Sequence, residues 1–337
     1  MAEKRRIRYA LKLAIILMVG SVLVIGAGTP AVAKTVILKL GWTTSDGATD
    51  PYAITARQFA LALEKEAPGQ FKVELFPNRA LGDEKEMLEG LSFGTLHMAV
   101  ITNAPIASIE PAFQINDLPF LYSDEKKAHA ILDGKAGQLL MKKLEAKNII
   151  GFGFAEGGFR QMINNVRPVN TPEDVEGIKW RVMQNPVYIG MFRSLGGNAV
   201  PMAWGEVFTA VQQGTIDGLE IPIAVIQNNG YFEVTKYLSL TNHTYSALGV
   251  LMSQKTWGKL TPEQQTAVRK AARTAIEKER AMNMENVKKL VEKLSQEGMQ
   301  VNRIKDTAPF QQKVKSVYEK FRPSIGDDIY GLVMDQM

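Results

Sequence analysis

The residues best suited to chemistry in this chain are two arginines in otherwise apolar surroundings. Arg160 lies in GGFRQMIN and Arg181 in IKWRVM. A guanidinium stays charged at any physiological pH, and burying it is costly unless something negative or strongly accepting meets it. An arginine in a strand therefore either reaches solvent or waits for an anion. In IKWRVM the pleat sends Ile178, Trp180 and Val182 to one side and Lys179, Arg181 and Met183 to the other. On that pattern alone, Arg181 reads as a solvated or salt-bridged surface residue, and Arg160 reads the same way. By the same default, Trp204 in PMAWGEV is core packing and Glu220 in DGLEIP is a loop acid.

Other candidate chemistries are weaker. GLSFG at residues 90–94 matches the spacing of a nucleophilic serine, Ser92. That motif needs a strand before the serine and a helix after it, and here the order is reversed. GFGFAEG at residues 151–157 falls short of a dinucleotide-binding loop: Glu156 stands where the last glycine belongs, and its carboxylate would repel a pyrophosphate. His97, His129 and His243 are far apart and share no metal-ligand spacing; they read as one strand, one helix and one loop histidine. The acid pairs Asp83/Glu84 and Glu173/Asp174 open helices, where carboxylates compensate the dipole. No catalytic set, metal site or cofactor site is expected.

Elements must hold these groups in place. TVILKLGW (35–42) alternates like a strand, FKVELFP (71–77) is a second, and LHMAVI (96–101) a buried third. Between them, PYAITARQFALALEKE (51–66) sets Ile54, Phe59, Leu61 and Leu63 largely on one helical face, and DEKEMLEGLSFG starts another helix with acids in its first turn. Strand–helix–strand alternation with short links implies a mostly parallel sheet covered by helices on both faces. Further on, GFGFAEGGFRQMIN and IKWRVM read as strands, PVYIGMFRSLG and WGEVFTAVQQG as helices closed by glycine, and IDGLEIP as a strand edge followed by a turn. In TPEDVEGI, Thr171 caps a short turn or helix. From Thr261, which caps, the chain is helical until Gly298.

The first 33 residues read as an export signal. Lys4, Arg5, Arg6, Arg8 and Lys12 precede the apolar run Leu13–Ile25, and Ala31-Val32-Ala33 sets cleavage before Lys34. The chain carries 40 Lys+Arg and 35 Asp+Glu. Subtracting the leader's five basic residues and one acid leaves 35 against 34, a net +1 for residues 34–337. The basic balance belongs to the leader and does not point to nucleic acid. There is no cysteine, which excludes disulfides and thiol chemistry.

Four blocks carry a resemblance over nearly all of the remaining chain: FPNRALGDEKEMLEGLSFGTLHMAV, GGFRQMINNVRPVNTPEDVEGIKWRV, GGNAVPMAWGEVFTAVQQGTIDGLEIP and FEVTKYLSLTNH. In their order and spacing the sequence resembles the substrate-binding subunits of tripartite ATP-independent periplasmic (TRAP) transporters. The resemblance implies an α/β fold of two lobes, with mixed, mostly parallel sheets and a long helix crossing both. It sets lobe I at 34–157 plus 247–286 and lobe II at 158–246 plus 287–337, with a ligand between them. Arg181 falls on the arginine that grips the ligand carboxylate in a bidentate salt bridge, and Arg160 on a second arginine beside it. Trp204 takes the place of an aromatic against the ligand. Glu84, Thr43 and Thr102 fall near contacts to the ligand's other end, and Gln184 in a loop that helps bind the carboxylate. Glu220 and Ile221 fall in a segment that commonly reads DGxENP; here DGLEIP puts isoleucine where an asparagine touches the ligand.

The implied function is capture of a small organic acid in the periplasm, closure of the lobes, and delivery to a membrane permease driven by an ion gradient. No bond is made or broken, and a monomer without cofactor or metal is expected. A carboxylate is the least that Arg181 demands. Dicarboxylates, sugar acids, keto acids and aromatic acids stay open, with Ile221 and Trp204 leaning toward a shorter or less polar acid than a nonulosonate. An exported hydrolase acting through Ser92 and a ligand-sensing module of the same fold are the competing readings.

Overall fold

The computed structural model describes residues 35–337; the expected export signal lies outside the described residues. A single sheet organises the chain. Its strands are β1 (Val36–Gly41), β2 (Phe71–Phe76), β3 (Met98–Thr102), β4 (Ile149–Asn164), β5 (Lys179–Val182), β6 (Asn198–Pro201), β7 (Gly218–Pro222), β8 (Tyr237–Ser253) and β9 (Gln300–Arg303). Their order is β2-β1-β3-β8-β4-β7-β5-β6, with β9 paired to β8. Within each flank the strands run parallel: β2-β1-β3 on one side, β7-β5-β6 on the other. The two flanks meet through β4 and β8, long antiparallel strands that pass from one to the other. The fold is therefore mixed, mostly parallel α/β in two lobes.

The helices that position the site are α1 (Pro51–Glu66), α2 (Glu84–Phe93), α3 (Glu125–Asp133), α4 (Pro186–Ser194), α5 (Trp204–Gln212), α6 (Ile223–Asn228) and α7 (Pro262–Gln296). One apolar core fills each face of the sheet. Trp42, Phe59, Tyr231 and Val268 pack on one face, and Phe113, Phe154, Trp180 and Phe192 on the other. The 35-residue α7 packs against α1, β4 and α6, and so spans both flanks. Its start follows from the sequence: Thr261 Oγ1 accepts from the Gln264 amide, with Pro262 at the first helical position. Asp50 caps α1, accepting from the amides of Tyr52 and Ala53 and from the Thr44 hydroxyl.

Several sequence expectations shift. In α1, Ile54, Phe59 and Leu63 are buried but Leu61 is 64% exposed. Two residues of helix turn through about 200°, which carries Leu61 away from the face that Phe59 shares with Leu63. DGLEIP is not a sheet edge: β7 lies between β4 and β5, is buried throughout and leads directly into α6. His243 is not in a loop but inside β8, fully buried. His97 precedes β3 and His129 lies on α3.

β4 departs from regular pairing where it passes between the flanks. Its register with β8 shifts between Glu156 and Gly158, and Gly158 has φ +87°, a conformation that favours glycine.

Candidate functional site

The parallel strands of both flanks turn their carboxyl ends toward one crevice. Thr43 follows β1, Thr102 ends β3, Arg181 and Met183 lie at the end of β5, and Ile221 and Pro222 end β7. Ligands of open α/β sheets bind in such crevices. These residues, with Thr44, Tyr52, Glu84, Arg160, Trp204 and Val225, line a chamber of about 20 Å³. That is room for about one water molecule. Beyond it lies an open groove of about 690 Å³, and Glu84, Arg181, Met183 and Trp204 line both spaces. In this conformation the crevice is drawn nearly shut over its inner end.

The two arginines are both 3% exposed, so the surface reading of each is corrected: Lys179 on the same face of β5 is exposed, whereas Arg181, like Arg160, lies at the crevice under Glu84, Met183 and Trp204. What meets them differs. Arg160 is enclosed by Glu220. Its Nε donates to Glu220 Oε2, and its Nη2 donates to Glu220 Oε1 at 2.9 Å and to the Glu220 carbonyl at 2.6 Å. Burial opposes the charge of Arg160, but the Glu220 carboxylate outweighs it and holds the guanidinium more firmly protonated than usual. Glu220 is likewise pushed up by burial and, more strongly, pulled below the ordinary carboxylate range by Arg160 and His243. His243 Nε2 lies 3.4 Å from the same carboxylate, and its Nδ1 is 2.7 Å from Thr241 Oγ1. Burial lowers the pKa of this imidazole.

Arg181 has no carboxylate partner among the described residues. Its Nε and Nη2 donate to one acceptor, the Met202 carbonyl, at 3.0 and 2.7 Å. Burial pushes its pKa below the ordinary value, and Glu220 at longer range offsets this only in part. It remains a cation, since arginine does not deprotonate in proteins. With the Nε side occupied by a backbone oxygen, Nη1 and the second hydrogen of Nη2 are the donors left for an incoming anion.

The remaining predicted residues separate into three groups. Thr43, Thr102, Glu84, Trp204 and Ile221 join the two arginines in the chamber wall. Glu84 Oε1 accepts from the Thr102 amide at 2.8 Å; burial raises the acid to about 7 against that bond. Trp204 is half-buried at the first position of α5, its ring 5.4 Å from that of Tyr231, so it is a wall of the crevice rather than core. Glu220 stands behind the wall as the counterion of Arg160, neither a loop acid nor a lining residue, because β7 is interior. Gln184 is exposed and lines only the outer groove. Thr44, Tyr52, Met183, Pro222 and Val225 also line the chamber; Thr44, Met183 and Pro222 adjoin predicted residues in sequence, whereas nothing local marks Tyr52 or Val225.

Ser92 lies in the last turn of α2 and makes no hydrogen bond to a histidine. Among the described residues no group of acids and histidines could hold a metal ion.

Two flanks thus meet at one crevice, and its wall holds a buried cation that has no carboxylate partner among the described residues. Residues 43–324 match the family model described as bacterial extracellular solute-binding protein, family 7. The chain is 36% identical over 264 residues to the 2,3-diketo-L-gulonate-binding periplasmic protein of Escherichia coli, covering 78% of this chain and 80% of that one. The solved sugar acid binding protein of Advenella mimigardefordensis, in complex with galactonate, superposes with a TM-score of 0.87 at 33% identity, covering 90% of this chain and 98% of that one. A TRAP periplasmic solute binding protein from Polaromonas, bound to D-erythronate, superposes with a TM-score of 0.85 at 35% identity, covering 88% and 98%. The chain belongs to the family 7 extracellular solute-binding proteins, which serve TRAP transport by binding organic acids and are not enzymes.

Proposed function

We propose that Arg181 receives the carboxylate of a small hydroxylated acid in this crevice, and that closure of the flanks over the acid marks the protein for its permease. The observation that carries this is the contrast between the two buried guanidiniums. Glu220 neutralises Arg160, so among the described residues the chamber offers one unpaired cation, enough for one carboxylate. A planar guanidinium matches both carboxylate oxygens, and the low dielectric of a closed crevice strengthens the pair. Trp204, Met183, Ile221 and Val225 give the carbon skeleton an apolar wall. Glu84, Thr43 and Thr102 face it from the other flank with groups suited to hydroxyls.

Glu84 also argues against a dicarboxylate, whose second charge would meet a buried acid with no cation left to balance it. The relatives that hold galactonate and D-erythronate support a polyhydroxy monocarboxylate. The lobes we assign are 34–157 plus 247–286 and 158–246 plus 287–337, hinged on β4 and β8. Export to the periplasm with cleavage before Lys34, a monomeric state and docking on an ion-gradient-driven permease complete the reading. No helix among the described residues is long and apolar enough to cross a membrane.

A thermal-shift screen on residues 34–337 with aldonates, aldarates, keto acids and C4-dicarboxylates tests it. A ligand that binds only the folded state raises the melting temperature, by an amount that grows with concentration over Kd. Polyhydroxy monocarboxylates should raise it most. No shift with any acid, or a shift with C4-dicarboxylates alone, overturns the proposal.

A further inference from the structure

One contact between the flanks lies outside the ligand chamber. Asp83 occupies the N-cap position of α2, where an aspartate ordinarily accepts from amides of its own first turn. Asp83 and Glu86 face each other in a capping box, in which Glu86 accepts from the Asp83 amide, while Asp83 Oδ1 is buried without a hydrogen-bond partner among the described residues. Oδ2 accepts from the amide of Gly205, at 3.1 Å, in the first turn of α5 on the opposite flank. That amide is one of the free donors at a helix N-terminus, where the dipole favours an anion.

A second residue joins from the same side. Arg79 Nη1 stands 3.8 Å from Asp83 Oδ2, and the guanidinium lies against Gly205 so closely that a Cβ there would sit 1.8 Å from Nη1 and 3.1 Å from Asp83 Oδ2. Arg79 is presented by unusual backbone: Asn78 and Arg79 have φ of 54° and 60°, left-handed values that few non-glycine residues adopt. The loop is tied down by Asn78 N–H to the Thr44 carbonyl and Arg79 N–H to the Trp42 carbonyl. Strained backbone of this kind persists where surrounding structure enforces it. A cation beside a helix N-terminus is unfavourable by itself. Asp83 between the two accounts for its presence.

The geometry points to Asp83 and Arg79 as a clasp that grips α5 at Gly205 in the closed form, and so positions the neighbouring Trp204 against the ligand. This rests on the reading of two flanks closing on an acid. None of the three clasp residues lines the inner chamber. They act through closure rather than by touching ligand. In the open form Asp83 keeps its place in the capping box of α2, and Gly205 loses its carboxylate partner and its guanidinium cover.

The chain has no cysteine, so Asp83→Cys with Gly205→Cys introduces a lone pair that reads the contact without any ligand. Under mild oxidation this variant should form an intramolecular disulfide, and the oxidised form should fail to take up D-galactonate until reduced. Absence of the cross-link both with and without D-galactonate overturns the proposal, whether or not galactonate is the physiological acid.

Single variants separate closure from folding. Asp83→Ala should weaken calorimetric binding of the best acid in the thermal-shift screen about tenfold, the loss of one charge-assisted hydrogen bond. Gly205→Ala replaces a poor helix former with the best one, so its ligand-free melting temperature should hold or rise while affinity falls. A merely structural role for these residues predicts the reverse: lower ligand-free melting temperatures and unchanged affinity, which contradicts the clasp.

Discussion

Glu220 closes on Arg160 and leaves Arg181, in the same chamber wall, with nothing but the carbonyl of Met202 among the described residues. The first pair is internally complete. The second guanidinium is desolvated without a counterion, a state that folding tolerates poorly and that a carboxylate relieves. On the function proposed above, this asymmetry makes Arg160 a structural arginine and Arg181 a binding one, and the predictions follow from that proposal.

Arg181→Lys should lose at least about tenfold in affinity for the acid, or about 1.4 kcal/mol, because an ammonium cannot reproduce the planar fork. Arg181→Met should abolish binding. The same substitution removes an uncompensated buried charge, so the melting temperature of the ligand-free protein should be unchanged or higher. Calorimetry and differential scanning calorimetry on the two variants check both halves.

Glu220→Ala should do the opposite. It leaves Arg160 buried without its carboxylate, and breaking a buried pair from one side costs about 3–5 kcal/mol. Urea unfolding should show the loss in the absence of any ligand. A protein as stable as wild type would mean that the pair is not structural.

Binding should strengthen as pH falls from 8 to 6. Burial holds Glu84 at about 7, with Asp83 adding to that rise while Arg181, Arg160 and the Thr102 amide oppose it. Tyr52 is a phenol raised well above its ordinary value and stays neutral in this range. The acid's own carboxylate brings a further negative charge, which favours the protonated form of Glu84. The complex then takes up protons, and affinity falls as pH rises through about 7. Glu84→Gln should flatten this dependence. Titrations at pH 6, 7 and 8 give the slope; a wild-type slope that survives in the variant assigns it elsewhere.

Trp204→Ala should weaken binding about tenfold or more while leaving the fold intact, since its half-buried ring packs on Tyr231 at the edge of the core. A circular dichroism spectrum and a binding isotherm on one sample separate the two effects.

Periodicity exposed the elements because long apolar patterns and caps are local. Thr261 and Pro262 mark the start of α7 in the sequence as they do in the structure. Side-chain partners were legible only where they are close in the chain. Glu220 lies sixty residues from Arg160 and meets it through the pairing of β4 with β7. The partner of Arg181 is a backbone carbonyl, which no residue type announces. Alternation in IKWRVM gave Arg181 the side opposite Trp180, but whether that side faces water depends on distant residues at the crevice, Glu84 and Trp204. The buried place of His243 in β8 and the interior place of β7 were hidden for the same reason. The family resemblance brought Arg160, Arg181, Trp204, Glu84, Thr43, Thr102 and Ile221 to one chamber. Glu220, which it also implies at the ligand, pairs with Arg160 and does not line that chamber.

A crystal structure with the acid that most raises the melting temperature tests the central claim most directly. The carboxylate should lie about 3 Å from the guanidinium of Arg181, with Nη1 donating to it and Arg160 still paired to Glu220. A carboxylate bound elsewhere in the crevice, with Arg181 holding only the Met202 carbonyl, would contradict the account.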